Sequence, residues 1–162
     1  MFYFTIALLV GMFLLYNLIL IVHVREVCVI ERLGKFRAVL NAGLHFLIPF
    51  VDRVAYRQET REQCLTIPHQ SCISRDNIQI DVDGLLYIKV MDPYKASYGI
   101  EDYLIAAVNL AQTTVRSEEG KLTLGGTFSE REALNETIVR EIDHASEPWG
   151  IKVLRYEVMN IT

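Results

Sequence analysis

The first 24 residues are apolar almost without interruption. Residues 1–24 read MFYFTIALLVGMFLLYNLILIVHV and contain no Asp, Glu, Lys or Arg. About 20 apolar residues in a helix cross a hydrocarbon core roughly 30 Å thick, and the run from Met1 to Val22 has that length. No basic residue precedes the run, and no small residues follow it for cleavage. The pattern therefore predicts a retained transmembrane helix, residues 1–24, rather than a secretory signal peptide.

Six large apolar side chains of this segment are predicted to contact lipid: Phe2, Phe4, Leu8, Phe13, Leu14 and Leu18. The aromatic start suits the interfacial level of a bilayer. Asn17 is the one strongly polar side chain within the run. It serves either as a hydrogen-bonding contact to a neighbouring anchor helix or as a tolerated single amide near the end of the span, and the second interpretation is favoured.

Basic residues lie only on the far side of the apolar run: Arg25, Arg32, Lys35 and Arg37 follow it closely. Lys and Arg accumulate on the cytoplasmic side of membrane spans. The charge distribution therefore predicts a single-pass protein of the cell (inner) membrane, with its N-terminus outside and the rest of the chain, residues 25–162, as one cytoplasmic domain.

The first part of that domain reads as short strands and turns. Val27–Ile30 is predicted as a strand, with turns at 31–35 and 41–43 where Gly34 and Gly43 supply backbone freedom. The apolar stretch Leu44–Val51 is too short to span a bilayer, and Pro49 bars a helix or central strand. It is interpreted equally well as a loop resting in the bilayer interface or as a core-packing loop. In the first case Phe46, Leu47, Ile48 and Phe50 contact lipid.

The clearest strand pattern lies in the middle of the chain. Six apolar residues share one phase of a period-two alternation: Ile78, Ile80, Val82, Leu86, Ile88 and Val90. Shorter strands are predicted at 54–57 and 64–67, and turns at Pro68 and at 74–77. The pattern predicts a sheet that buries one face.

Two principal helices and a final strand complete the predicted domain. The first helix covers 101–118. Thr127 and Glu130 have the spacing of a capping box, which predicts that the second helix begins there and ends before Pro148. A strand is expected over 151–160. The fold class is therefore α+β, with mixed strands and two principal helices after an N-terminal transmembrane helix.

Charge and motif content indicate a scaffold or partner-binding protein rather than an enzyme. The net charge is −4 with no basic run, which argues against a nucleic-acid partner. Three cysteines form no CxxC pair and are interpreted as small hydrophobic residues. The alternative is one disulfide, such as Cys64–Cys72, if the domain lies in an oxidising compartment. No nucleophile, phosphate-binding or metal-binding motif occurs, so no catalytic, cofactor-binding or metal-ligating residue is predicted.

Several blocks, in order along the chain, resemble the stomatin/prohibitin (SPFH, band 7) domain. They are ERLGKF at 31–36, GLHFLIPFVDRV at 43–54, DNI at 76–78, DP at 92–93, AQTTVRS at 111–117, TFSERE at 127–132 and PWGIKV at 148–153. The resemblance runs from about Val24 to Thr162 and is greatest to bacterial stomatin-like proteins, the paraslipins.

The resemblance implies an oligomeric membrane scaffold without catalytic residues. Such proteins assemble into large homo-oligomers, usually through a C-terminal helical region absent from this sequence. They organise membrane microdomains and restrain partners in protein quality control, among them membrane proteases of the NfeD type. Two other functions stay open: a monomeric peripheral lipid-binding module and, less favoured, a membrane hydrolase.

Three positions depart from the family pattern. Ala42 replaces a usual proline, and Gly125-Gly126 replaces a more polar pair. Glu119 stands where an apolar residue usually precedes Gly-Lys-Leu. Glu119 has the largest expected consequence, because it puts a carboxyl group where helix packing is expected.

Overall fold

The computed structural model describes all residues from Met1 to Thr162, which divide into two units, Met1–Thr60 and Arg61–Thr162. The first unit contains helix α1 and five strands, and the second contains a three-stranded sheet covered by helices. Helices and strands are thus mixed along the chain, as the α+β prediction requires.

The apolar N-terminal run forms a helix and then a strand. Helix α1 covers Phe2–Leu18, and strand β1 covers Ile19–Val22. The helix therefore ends six residues before Val24, where the predicted transmembrane helix ends. Ile19, Ile21 and Val22 are β-branched and fit an extended, paired backbone. No helix of the chain is both long enough and apolar enough to cross a bilayer.

Two small sheets build the rest of the first unit. The remaining strands are β2 Glu26–Arg32, β3 Lys35–Leu40, β4 Gly43–Phe46 and β5 Asp52–Glu59. β1 pairs antiparallel with β4, and the other sheet has the order β3-β2-β5. Val22, Cys28, Ile30 and Leu47 form the buried core of this unit. Strands were predicted within β2 and β5, whereas β1, β3 and β4 were not predicted. β1 replaces the end of the predicted transmembrane helix, and β4 begins in the predicted turn at 41–43 and continues into the predicted loop.

The second unit packs two long helices against a sheet of order β6-β7-β8. Its elements are β6 Gln63–Ile73, β7 Gln79–Val90, α2 Pro93–Tyr98, α3 Tyr103–Glu119, α4 Leu124–Ser129, α5 Arg131–Ser146 and β8 Ile151–Ile161, with a short 3-10 helix at Glu147–Trp149. The alternating residues of β7 from Ile80 to Val90 are buried against Ala107, Val115 and Ile138 of the helices.

Two turn and cap predictions are wrong in this unit. Pro68 lies inside β6 rather than in a turn, at the register shift between Ile67 and Gln70, where a bulge tolerates a residue without an N–H. Thr127 does not cap a helix. It is buried inside α4, and its hydroxyl donates to the carbonyl of Thr123, which caps that helix instead.

Candidate membrane-contact surface

Helix α1 exposes apolar side chains on every side. None of its residues is buried, and Phe2, Phe4, Leu8, Phe13 and Leu14 are all exposed. Leu18, the last residue of the helix, is half-buried. A helix that is apolar all round and unburied needs lipid or another apolar surface to cover it.

The stretch Leu44–Val51 contains both buried and exposed apolar side chains. The backbone N–H of Leu47 donates to the carbonyl of Leu18, with an N···O distance of 2.7 Å. The side chain of Leu47 is only 8% exposed and joins the core of the first unit. It is therefore unavailable to lipid, whereas Phe46, Ile48 and Phe50 point outward and are exposed.

Phe50 is held in an uncommon conformation for a bulky residue. Its φ is +67°, in the left-handed region, and it is 86% exposed. A non-glycine residue in that region costs about 1–2 kcal/mol. Burying the ring against the protein would normally offset such strain, but the ring faces solvent. Backbone strain of this kind clusters at functional sites, which marks Phe50 as a candidate.

A carboxylate fixes this loop from inside. Asp52 has no exposed side-chain surface and accepts hydrogen bonds from Arg32 Nε at 2.6 Å and from Arg37. It also accepts from the backbone N–H of Ile48 at 3.2 Å. The hydrogen bond from Arg32 is the main cause that lowers the pKa of Asp52 to about 2. The loop is therefore closed by a carboxylate that is ionised at any ordinary pH.

A second exposed apolar side chain lies beside the loop. Leu33 and Gly34 both have positive φ and form the two-residue turn between β2 and β3, in a predicted turn. Leu33 is 79% exposed, and its backbone N–H donates to the carbonyl of Val51 at 3.3 Å. We call Leu33, Phe46, Ile48 and Phe50 the apolar rim.

Sequence reasoning missed Leu33. The only signal was a large apolar residue beside Gly34 at the tip of a hairpin whose flanks are charged, Glu31 and Arg32 on one side and Lys35 on the other. Hairpin tips are normally polar, so an apolar tip is informative.

The metal-ligating and cysteine side chains of the chain are scattered. No group of three or more His, Cys, Asp or Glu side chains lies together in a way that could hold a metal ion. The three cysteines are unpaired; Cys28 and Cys72 are buried and Cys64 is exposed. Burial raises the pKa of the Cys28 and Cys72 thiols, which keeps them un-ionised and poorly nucleophilic. The candidate site is therefore the apolar rim, whose loop is held by Arg32 and Arg37.

Known sequences place the chain among stomatin-like proteins. The pattern of the SPFH domain / Band 7 family matches residues 20–162. The chain is 49% identical over 145 residues to the mitochondrial stomatin-like protein 2 of Homo sapiens, covering 90% of this chain and 41% of that protein. It is 50% identical over 137 residues to a stomatin-like protein of Caenorhabditis elegans, covering 85% and 42%.

An archaeal relative extends the similarity further along this chain. The chain is 38% identical over 157 residues to a stomatin homologue of Pyrococcus horikoshii, covering 97% of this chain and 59% of that protein. The chain belongs to the SPFH domain / Band 7 family, as the resemblance predicted. It spans about two fifths of the length of the eukaryotic stomatin-like proteins it matches.

Proposed function

We propose that this chain is the membrane-bound part of a scaffold that assembles with copies of itself and restrains partner proteins in the membrane. One observation carries the proposal: an unburied, uncharged and mostly apolar helix is joined to an exposed apolar rim in a member of the SPFH family. The proposal assigns no catalysed reaction to the chain.

Helix α1 is proposed to lie in the hydrocarbon of a cell membrane. At 1.5 Å per residue its 17 residues extend about 26 Å, somewhat less than a typical hydrocarbon core of about 30 Å. Local thinning of the bilayer accommodates such a difference at modest cost. The bond between Leu18 and Leu47 puts the loop at the end of the helix, so the apolar rim is proposed to rest in the interface there.

The orientation follows from the basic residues behind the helix. Arg25, Arg32, Lys35 and Arg37 all follow α1, and no basic side chain precedes it. We propose that the N-terminus faces outward and that residues 25–162 are cytoplasmic. The partner suggested by the family resemblance is a membrane protease of the NfeD type, held next to the scaffold in a membrane microdomain.

The size of the assembly tests the scaffold directly. The full-length protein, extracted in mild detergent, is expected to give a mass by light scattering many times that of one chain, and co-purified proteins are identified in the same sample. A particle with the mass of a single chain would favour the alternative, a monomeric lipid-binding module. The control is the same preparation in a harsh, dissociating detergent, which should return the single-chain mass.

Lipid contact of the rim is tested separately with an introduced indole. Trp149 is the one tryptophan of the chain, so Phe50→Trp is made in a Trp149→Phe background and placed in vesicles containing lipids brominated on the acyl chains. We expect strong quenching of the indole fluorescence, because the side chain at position 50 should reach the acyl region.

Val24→Trp in the same background is the matched control. Val24 is also exposed, but it precedes the opposite end of β2 from Leu33. The seven residues of β2 separate the two ends by roughly 20 Å, so quenching at position 24 should be weak. Equal quenching at both positions, or none at position 50, would contradict contact between the rim and the bilayer.

A further inference from the structure

A carboxyl group is buried in the second unit with nothing to pair it. Glu119, the last residue of α3, has no exposed surface, and neither of its side-chain oxygens has a hydrogen-bond partner. The hydroxyl of Tyr156 on β8 is likewise buried and unpartnered. A buried polar group normally finds a partner, since leaving it without one is costly.

No cation compensates this carboxyl group. Arg116, one turn earlier on α3, directs its guanidinium Nη2 to Gln70 Oε1 on β6 at 3.4 Å. Arg131 on α5 donates to the carbonyl of Val158 at 2.9 Å. Arg116 also hydrogen-bonds the thiol of Cys72. Neither arginine is hydrogen-bonded to Glu119.

The other titratable groups around Glu119 are neutral or negative. Cys72 on β6 and Tyr156 on β8 both interact electrostatically with Glu119, and Asp83 on β7 adds its negative charge near Tyr156. Burial raises the pKa of both the Cys72 thiol and the Tyr156 phenol, so neither group ionises near neutral pH. Thr127 on α4 satisfies its hydroxyl on its own helix. Burial without a hydrogen-bond donor, together with these neutral and negative neighbours, therefore favours the neutral form of Glu119.

The segment that follows Glu119 depends on its position. The backbone N–H of Leu122 donates to the carbonyl of Glu119 at 3.1 Å, and the carbonyl of Leu122 accepts from the N–H of Arg75 at 2.8 Å. Asp76 accepts from the N–H of Leu124 at the start of α4. The end of α3 thus connects through residues 120–123 to the β6–β7 turn and to α4.

We propose that Glu119 is a proton-controlled latch: its neutral carboxyl keeps the end of α3 packed on the sheet, and its ionisation releases residues 120–129. The device is independent of the membrane contacts and adds a mode of regulation to the proposed scaffold. Ionisation would leave a charge without partner or solvent, and opening the segment is the route by which that charge reaches water.

The sign of the pH dependence follows from the burial of Glu119. Desolvation raises its pKa to about 7 in the closed state, whereas an exposed glutamate has a pKa of about 4.3. Below the lower value both states are protonated, and ionisation favours neither state. As pH rises between the two values, the open state loses its proton first and gains population. The latch is therefore closed in acid and progressively released up to about pH 7.

Hydrogen exchange of the latch amides tests the proposal. The amides of Arg75, Leu122 and Leu124 are followed in the full-length protein by mass spectrometry, with exchange rates corrected for the intrinsic effect of pH. In the wild type the opening constant is expected to rise by about seventyfold or more between pH 5 and pH 8. In Glu119→Gln the rise should vanish, because the amide does not titrate.

Two variants and one direct titration make the outcome decisive. Glu136→Gln changes an exposed carboxyl group of α5 and should keep the wild-type profile. Glu119→Leu also removes the titrating group and should give a flat profile. It replaces Glu119→Gln as the test if the glutamine variant folds poorly. The carboxyl carbon of Glu119, followed by ¹³C NMR, should titrate near pH 7. A flat wild-type profile, a slope retained in both Glu119 variants, or a midpoint near pH 4.5 would overturn the latch.

Discussion

Gly84→Ala is expected to destabilise the second unit by about 3 kcal/mol, at the upper end of the usual cost of overpacking a core. Gly84 lies in the middle of β7, paired with Ile67 on one side and Val158 on the other. A Cβ at this position would lie 2.5 Å from the hydroxyl oxygen of Tyr156 and 2.7 Å from its ring carbon Cζ. Tyr156 is itself buried in the core of this unit, so moving its ring would disturb the side chains packed around it. Urea denaturation of wild type and variant measures the difference.

Two further variants identify the cause of that loss. Gly125→Ala adds the same methyl group where nothing lies within 4 Å. It should leave stability unchanged or slightly raised, because alanine favours a helix over glycine. Combining Gly84→Ala with Tyr156→Leu removes the clashing ring, so the double variant should cost clearly less than the sum of the single changes. Strict additivity would show that the Tyr156 ring is not the obstacle.

The alternation predicted β7 correctly because successive side chains of a strand point to opposite faces of the sheet, so burial of one face gives apolar residues at every second position. Ile80, Val82 and Leu86 are buried in the phase that the sequence indicated. Ile78 was assigned to the same face, but it precedes the strand and is exposed. Asn77 has a φ of +58°, which breaks the alternation before β7 begins. Local turn geometry, rather than hydrophobic phase, fixed the end of the element.

The start of the second predicted helix was placed wrongly because several neighbouring residues are suited to cap a helix. Thr123, Thr127 and Ser129 all have side chains suited to cap a helix, and Gly125-Gly126 lowers helix propensity between them. In the structure Thr123 caps α4, and Asp76 accepts a hydrogen bond from Leu124 N–H. That bond joins residues far apart in sequence. The long helix α5 begins only at Arg131, with Glu130 at its N-cap position and no side-chain cap. A propensity argument uses only local sequence, so it merged the short helix α4 with the start of α5.

The candidate surface was predictable in composition but not in detail. The apolar run and the stretch Leu44–Val51 are plain in the sequence, and most of their large side chains are exposed. The inward direction of Leu47 depends on its backbone bond to Leu18, and the position of Leu33 beside the loop depends on its bond to Val51. Both are long-range pairings that depend on strand register. Hydrophobicity alone therefore could not separate the exposed apolar side chains of this stretch from the buried Leu47.

For Glu119 the sequence identified the individual residue but not its environment. The sequence marked it as a departure from the family pattern, and the structure buries it completely at that position. Two neighbouring features accommodate it without supplying a charge: the thiol of Cys72 and the ring of Tyr156. The residue type was informative, but the consequence required knowing that no arginine pairs with it.

Asp52→Asn is expected to release the loop that carries the apolar rim. The carboxylate accepts hydrogen bonds from Arg32, Arg37 and the N–H of Ile48, and its side chain has no exposed surface. Asparagine has nearly the same shape but no charge, and its amide nitrogen would face a guanidinium group. Both arginines are more than a third exposed, so solvent screens part of the loss. We expect about a tenfold rise in the opening constant at the Ile48 and Asp52 amides, measured by hydrogen exchange.

The pH dependence of loop protection tests the contribution of Asp52. The pKa of Asp52 is lowered to about 2, mainly by the hydrogen bond from Arg32. Its contribution is therefore fully present above about pH 4, the usual value for an aspartate, and is lost as pH falls towards 2. Wild type should lose loop protection over that window, whereas Asp52→Asn should not. Glu26→Gln removes a more exposed pair with Arg57 and should change neither the protection nor its acid dependence. An Asp52→Asn variant with wild-type protection at both ends of the window would show that the loop holds its shape without the carboxylate.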